Sequence, residues 1–138
     1  MKMIEINNKT RSRIDRRLIE KTAHKFMDYY RVPGKDLSVA VVGDKTMRRL
    51  NRECLGVDRT TDVLAFPDKD ENFFGEIVLC LPQIERQAPD YAGSTEKELI
   101  FVLAHGLLHL LGFRDKTARQ KAGMDGLAGK FIKNMKKI

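Results

Sequence analysis

His105 and His109 stand four residues apart in the most apolar stretch of the chain, LIFVLAHGLLHLLG. On a helix this spacing puts both imidazoles on one face, about 6 Å apart along the axis. Two rings so placed can both reach one cation at about 2 Å. Gly112 follows three residues after His109, and Asp115 three after that. The helix would supply two ligands, the glycine would turn the chain sharply, and the carboxylate would swing back to the metal. Two histidines buried without a partner in an apolar helix are costly. A shared cation is therefore a better account than a pair of hydrogen-bonded core histidines. The expected ligands are His105, His109 and Asp115, holding one zinc ion per chain, although such a donor set also accepts iron or manganese. Three protein ligands leave a fourth position open, which marks a catalytic site rather than a structural one.

The spacing H-x3-H-x2-G-x2-D has the ligand layout of the HExxHxxGxxH zinc hydrolases, with Asp in the third place. Zinc peptidases of that layout need Glu after the first histidine as general base. Here the residue is Gly106, so peptide hydrolysis is disfavoured. A Lewis-acidic metal beside basic residues suits a phosphodiester instead, with zinc-bound water as the candidate nucleophile. Attack by the 2′-hydroxyl of an RNA fits the same residues equally well.

The elements that must position these groups follow from periodicity and punctuation. Met3–Ile6 predicts a short strand, and Ser12 to Tyr30 an amphipathic helix, ended at Val32-Pro33-Gly34. Leu37–Val42 predicts a buried strand. Asp44 is placed to cap a helix running through Cys54. Val63–Phe66 and Glu76–Leu81 predict two further strands. Pro82 suits the first turn of a helix reaching about Ala88, with Pro89–Gly93 as a loop. Ser94 or Thr95 can cap the helix that carries the histidines, and Thr95 with Glu98 has capping-box spacing. That helix is apolar on nearly all sides and is expected to be central and buried. Gly112 ends it, and a basic helix follows from about Thr117 to Met135. Strands and helices interleave, which predicts one α/β domain over residues 1–138 with a mixed sheet of about four strands. The metal site would sit on the central helix and the turn after it.

Charge is unevenly spread over a net +7. Residues 1–52 carry fourteen Lys and Arg against six Asp and Glu, residues 53–98 four against eleven, and residues 99–138 eight against two. Basic flanks attract polyanions, RNA or DNA above all. The candidate RNA-contacting residues are Arg13, Arg16, Arg17 and Lys21 in the first flank, and Lys116, Arg119 and Lys121 in the second. Cys54 and Cys80 lack CxxC spacing and read as reduced thiols of a cytosolic protein, Cys80 as a small buried residue. No apolar run approaches the roughly 20 residues needed to span a membrane, and MKMIEINNKT has no apolar region of the kind a secretory signal requires.

The same residues carry a family likeness. AHGLLHLLGF (residues 104–113) closely resembles the HGxLHLxGYDH signature of the YbeY family of bacterial ribosomal-RNA maturation endoribonucleases. Leu50-Asn51 and DRTTDVLAFP (residues 58–67) resemble the family's LN…RGKDxPTDVLSFP segment, and FGEIVL (residues 74–79) its GDI strand. The resemblance implies a single α/β domain and a zinc-dependent, single-strand-specific endoribonuclease. It implies action at the 3′ end of 16S ribosomal RNA and in ribosome quality control, in the cytoplasm. The implied partners are RNA and the small ribosomal subunit or its precursor, with the chain as a monomer and no membrane contact. The family's three histidine ligands carry over to His105, His109 and, by substitution, Asp115. Other departures are Arg114 for the preceding aspartate, Leu55 for the arginine of RGKD, Thr60 for the proline before TD, and Ala65 for the serine of VLSF. Arg59, four residues after Leu55, is the candidate to supply the missing charge at the catalytic centre. Thr61 and Asp62, which match, would either turn the backbone or shape the cleft rim near the metal. The alternative, from a different class, is a non-catalytic ribosome-assembly RNA-binding protein with a structural metal, for which Leu55 is the best supporting feature.

Overall fold

The computed structural model describes residues 3–91 and 93–136. The chain runs β1 (Ile4–Asn8), α1 (Arg16–Tyr29), β2 (Asp36–Val42), α2 (Asp44–Leu55), β3 (Val63–Pro67), β4 (Phe73–Cys80), α3 (Leu81–Tyr91), α4 (Thr95–Leu110) and α5 (Ala118–Lys136). The strands form one mixed sheet in the order β1-β2-β4-β3. Its pairs are parallel from β1 to β4 and antiparallel between β4 and β3. The expected α/β layer with a four-stranded mixed sheet is the one observed. Among the described residues no helix is long and apolar enough to cross a membrane.

Period-two alternation in the central strands builds two cores. Leu37, Val39, Val41, Ile77 and Leu79 face the helices α1, α4 and α5. Ala40, Val42, Val78 and Cys80 face Met47 of α2 and Leu64. α4 lies at the centre of the first core, packed against α1, α3, α5, β3 and β4, as its all-round apolar sequence requires. Gly106 permits the close approach of α4 to the sheet. A Cβ there would stand 3.0 Å from both Ile77 Cδ1 and Val63 Cγ2. Gly75 does the same from the strand side: its φ is 152°, and a Cβ would meet Phe66 O at 2.6 Å and Leu110 Cδ2 at 2.7 Å.

Several boundaries differ from the sequence expectation, each for a local reason. α1 starts at Arg16 rather than Ser12, because the Asp15 carboxylate accepts from Leu18 N–H at 3.0 Å and caps it there. Asp44 is not the cap of α2; Gly43 is. The Asp44 carboxylate instead takes both arms of the Arg86 guanidinium at 2.7 Å, a bidentate charged pair stronger than a cap bond. α3 continues through Pro89 to Tyr91 instead of ending at Ala88. So near the helix end proline forfeits one bond, and Gly93, at φ 86°, closes the turn by donating to Ala88 O at 2.8 Å. Ala92, in the expected loop, lies outside the described residues. Ser94, not Thr95, caps α4, its Oγ accepting from Lys97 N–H at 3.2 Å. No Thr95–Glu98 box forms, and Glu98 turns inward, buried.

Candidate metal centre

α4 presents Glu98, His105 and His109 along one stripe facing a cleft of about 640 Å³. Asp62 just before β3, Gln87 of α3, Lys97 of α4, Asp115 of the turn after α4, and Lys121, Asp125 and Lys136 of α5 complete the polar lining. Each element is held by ordinary means. Gly112, at φ 104°, takes the left-handed turn after α4, donating to His109 O at 2.9 Å, while Phe113 N–H donates to Leu108 O at 3.1 Å. The chain then enters α5 through a reciprocal cap. Thr117 Oγ1 accepts from Gln120 N–H at 3.1 Å, and Gln120 Oε1 accepts from Lys116 and Thr117 N–H at 3.0 and 3.2 Å. Asp115 is thereby fixed between two capped ends.

The two imidazoles are oriented alike. His105 Nδ1 donates to Phe101 O at 3.1 Å and His109 Nδ1 to Phe113 O at 3.1 Å. Phe101 also braces the His105 ring edge-on, with centroids 4.4 Å apart. A carbonyl oxygen only accepts, so Nδ1 carries the proton in each ring and Nε2 is the coordinating nitrogen. Each Nε2 faces a carboxylate: His105 meets Asp125 Oδ1 at 2.7 Å, and His109 meets Asp115 Oδ2 at 3.4 Å. The sequence reading paired His105, His109 and Asp115; Asp125 it missed. The two His–carboxylate pairs are separate as placed, and among the described residues no three His, Cys, Asp or Glu side chains already gather around one point. The donor set nonetheless fits a divalent cation. Two Nε2 atoms and two carboxylates share one cleft, and the backbone bonds at Nδ1 are the outer contacts that metal-binding histidines use.

At the inner end of the cleft, Gln87 Nε2 bridges two carboxylates, Asp62 Oδ2 at 2.9 Å and Glu98 Oε2 at 2.7 Å. Asp62 also anchors β3, since its carbonyl accepts from Cys80 N–H at 2.9 Å. Its backbone thus ties β3 to β4 while its side chain lines the cleft. Glu98 Oε1 is buried and has no hydrogen-bond partner among the described residues. Burial pushes the Glu98 carboxyl above its ordinary value of 4.5, with the Gln87 bond opposing. A raised carboxyl pKa means the folded state holds its proton more tightly than the unfolded chain. The stability this contributes is complete below the unfolded value and is lost as pH rises through the folded one. In chelator, the urea midpoint of the wild type should fall relative to that of Glu98→Gln as pH rises above the ordinary carboxyl value. Parallel profiles for the two proteins would show that Glu98 is not ionising inside the fold.

The remaining candidates are dispersed. Lys121 lines the histidine cleft, whereas Lys116 and Arg119 are exposed and outside its lining. Arg16 donates to Ile6 O at 2.7 Å and so ties α1 to β1. Arg13 borders a small depression of about 180 Å³ beside the start of α4, and Arg17 and Lys21 are exposed on α1. Arg59 lines a different groove, of about 1020 Å³, with Arg48, Arg49, Arg52 and Arg86. Its carbonyl is held by the buried Asn51, whose Nδ2 donates at 2.9 Å. Leu55, at the place of the family's arginine, is 62% exposed.

Asp62 with Val63 and the histidine helix, both within segments that carried the sequence likeness, line the cleft together with residues of α3 and α5. The sequence profile described as Endoribonuclease YbeY matches residues 3–136. The chain belongs to this family. Among relatives named Endoribonuclease YbeY, that of Shouchella clausii is 42% identical over 104 residues, 64% of this chain and 65% of the relative. That of Persephonella marina is 29% identical over 129 residues, 88% of this chain and 84% of the relative. The match thus spans just under two thirds of the first relative's length and most of the second's. A solution structure of a Thermotoga maritima protein superposes with a TM-score of 0.58 at 31% identity, covering 96% of this chain and 93% of that one. In this YbeY-family chain, Gly106 fills the position after the first histidine, and its missing side chain would point at Ile77 and Val63. A carboxylate there would enter the helix–sheet contact rather than the cleft, which counts against peptidase chemistry on grounds independent of the sequence motif.

Proposed function

We propose that this chain is a zinc-dependent endoribonuclease acting on single-stranded RNA during ribosomal-RNA maturation, at the 3′ end of 16S ribosomal RNA, and in ribosome quality control. The observation that carries the reading is the pair of Nε2 atoms on α4, both turned toward carboxylates in one cleft of a chain that belongs to the YbeY family. His105, His109 and Asp115 hold the ion. Phe101 O and Phe113 O fix the two rings, so the coordinating nitrogens point into the cleft. Lys97, Lys121 and Lys136 along the cleft offset its carboxylates and draw in phosphate. Zinc held there supplies a Lewis acid that polarises a phosphoryl oxygen. The working place is the cytoplasm, with the small ribosomal subunit or its precursor as partner.

A second reading, a non-catalytic ribosome-assembly protein with a structural metal, draws on Leu55. The family's arginine is absent there, and Arg59 lines another groove. One experiment separates the two. Protein purified without a histidine tag is stripped with chelator and restored with one equivalent of zinc, then given a defined single-stranded RNA. Cleavage that disappears and returns supports the endoribonuclease, and a 2′,3′-cyclic phosphate end would identify the 2′-hydroxyl as nucleophile. RNA binding without cleavage in the restored protein would favour the assembly role.

A further inference from the structure

α2 carries a stripe of cations that the sequence reading passed over. Lys45, Arg48, Arg49 and Arg52 follow the spacing i, i+3, i+4, i+7, which gathers them on one helix face. All four are exposed, while Met47 and Asn51 bury another face of the helix. Arg59, from the loop after α2, and Arg86, of α3, join them in one groove of about 1020 Å³. Six cations meet two carboxylates there, Asp44 and Asp58. The carboxylates act as clamps. Asp58 accepts from Arg48 Nε and Nη2 at 2.9 and 3.3 Å and from Arg52 Nη1 at 3.5 Å, and Asp44 holds Arg86. A guanidinium has five N–H donors, so a clamped one still offers some outward. Lys45, Arg49 and Arg59 have no ion pair among the described residues. The groove is therefore net positive and partly ordered before any ligand arrives, which lowers the cost of binding an anion.

Resting on the RNA reading above, we infer that this groove is a second RNA contact, holding backbone phosphates of the single strand that enters the histidine cleft. Five of its six cations are arginines, whose planar forks match phosphate oxygens in pairs. Among the described residues none that lines it is aromatic. It has no platform for stacking bases and grips the backbone without regard to sequence. Leu55, at the place of the family's arginine, is not part of its lining. The groove also adjoins the cleft. Asp58, Arg59 and Thr60 line the groove and Asp62 and Val63 the cleft, so one short segment borders both. A chain of side-chain bonds joins them as well. Arg86 Nη2 donates to Gln83 Oε1 at 2.6 Å, Gln83 Nε2 to Gln87 Oε1 at 3.2 Å, and Gln87 Nε2 to Asp62 Oδ2 at 2.9 Å. The cleft itself sets three lysines against four carboxylates and attracts phosphate weakly until its ion is bound. The groove supplies an affinity for RNA that does not depend on the ion.

The test uses the full chain, stripped of metal and kept in chelator so that RNA is bound without being cut. The probe is a fluorescently labelled single-stranded RNA of mixed sequence, titrated across a salt series. Lys45→Ala, Arg49→Ala and Arg59→Ala are combined, because these three have no ion pair to lose, and circular dichroism checks the fold. Each phosphate contact removed lowers the slope of log affinity against log salt by about 0.7 for a single strand. The triple variant should therefore lose about 2 from that slope and bind roughly tenfold more weakly at low salt. A control combining Arg13→Ala, Arg17→Ala and Lys21→Ala removes the same charge away from the groove and should lose less. An unchanged slope in the groove variant, or an equal loss in the control, overturns the groove assignment and leaves the endoribonuclease reading standing. Vesicles of phosphatidylglycerol are the competing polyanion. Vesicle binding lost in the groove variant while its RNA slope is unchanged would make the groove a membrane contact and overturn the RNA assignment. If the wild type shows no salt-dependent RNA binding at all, the RNA reading itself fails, and the groove assignment with it.

Discussion

His105→Ala and His109→Ala are each expected to strip the protein of its metal and to remove most RNA cleavage. Both rings are held with Nε2 directed into one cleft, and neither α4 nor the turn after it offers another imidazole: the third histidine, His24, belongs to α1. A second effect separates loss of the ion from damage to the fold. An ion bound only by the folded state adds RT ln(1 + [L]/Kd), about 2.7 kcal/mol at a hundredfold excess over Kd. For a chain of this size that is roughly 10 °C in Tm. The wild-type Tm should fall by this order when chelator is added, and the Tm of either variant should not move. The variants also lose a ring packed on α4, so their Tm without metal will sit somewhat below that of chelated wild type. The response to chelator, rather than the absolute Tm, is therefore the measurement that counts. A chelator response equal in all three proteins would remove the histidines from the site.

Much of the candidate centre is legible in the sequence because local rules fix it. A four-residue spacing on a helix admits one relative placement of two rings, and a glycine at the helix end is free to take the left-handed turn found at Gly112. The sheet is legible for the same reason: Leu37–Val42 can bury both faces only as a central strand, and β2 lies between β1 and β4. What escaped depends on contacts between elements. Asp125 reaches His105 because Met124, Ala128 and Phe131 seat α5 in the core, a choice of helix face that no local motif announces. Its one sequence signal is being the lone acid in a basic helix. Glu98 sits at capping-box spacing from Thr95, yet Ser94 takes the cap, and Glu98 turns to Gln87 on a neighbouring helix. Arg59 is four residues from Leu55 in the sequence. Its backbone is drawn toward α2 by Asn51, and it lines the arginine groove rather than the histidine cleft.

The replacement of the family's third histidine by Asp115 yields the other large effect. Zinc held by three neutral histidines keeps a charge of +2, and each aspartate lowers it by one. A less positive centre is a milder Lewis acid, while Coulomb attraction from the carboxylate offsets the lost imidazole in affinity. Asp115→His is therefore expected to retain one zinc and to move the lower limb of the pH–rate profile for RNA cleavage toward lower pH. Asp115→Ala should lose affinity and activity together, on the order of tenfold to a hundredfold or more. Asp115 Oδ2 lies 3.4 Å from His109 Nε2. Metal content and cleavage across pH for the wild type and both Asp115 variants decide the matter. Should Asp115→Ala bind zinc and cleave RNA like the wild type, Asp115 is not a ligand, and the spacing from His109 through Gly112 to Asp115 marks no more than the end of a helix.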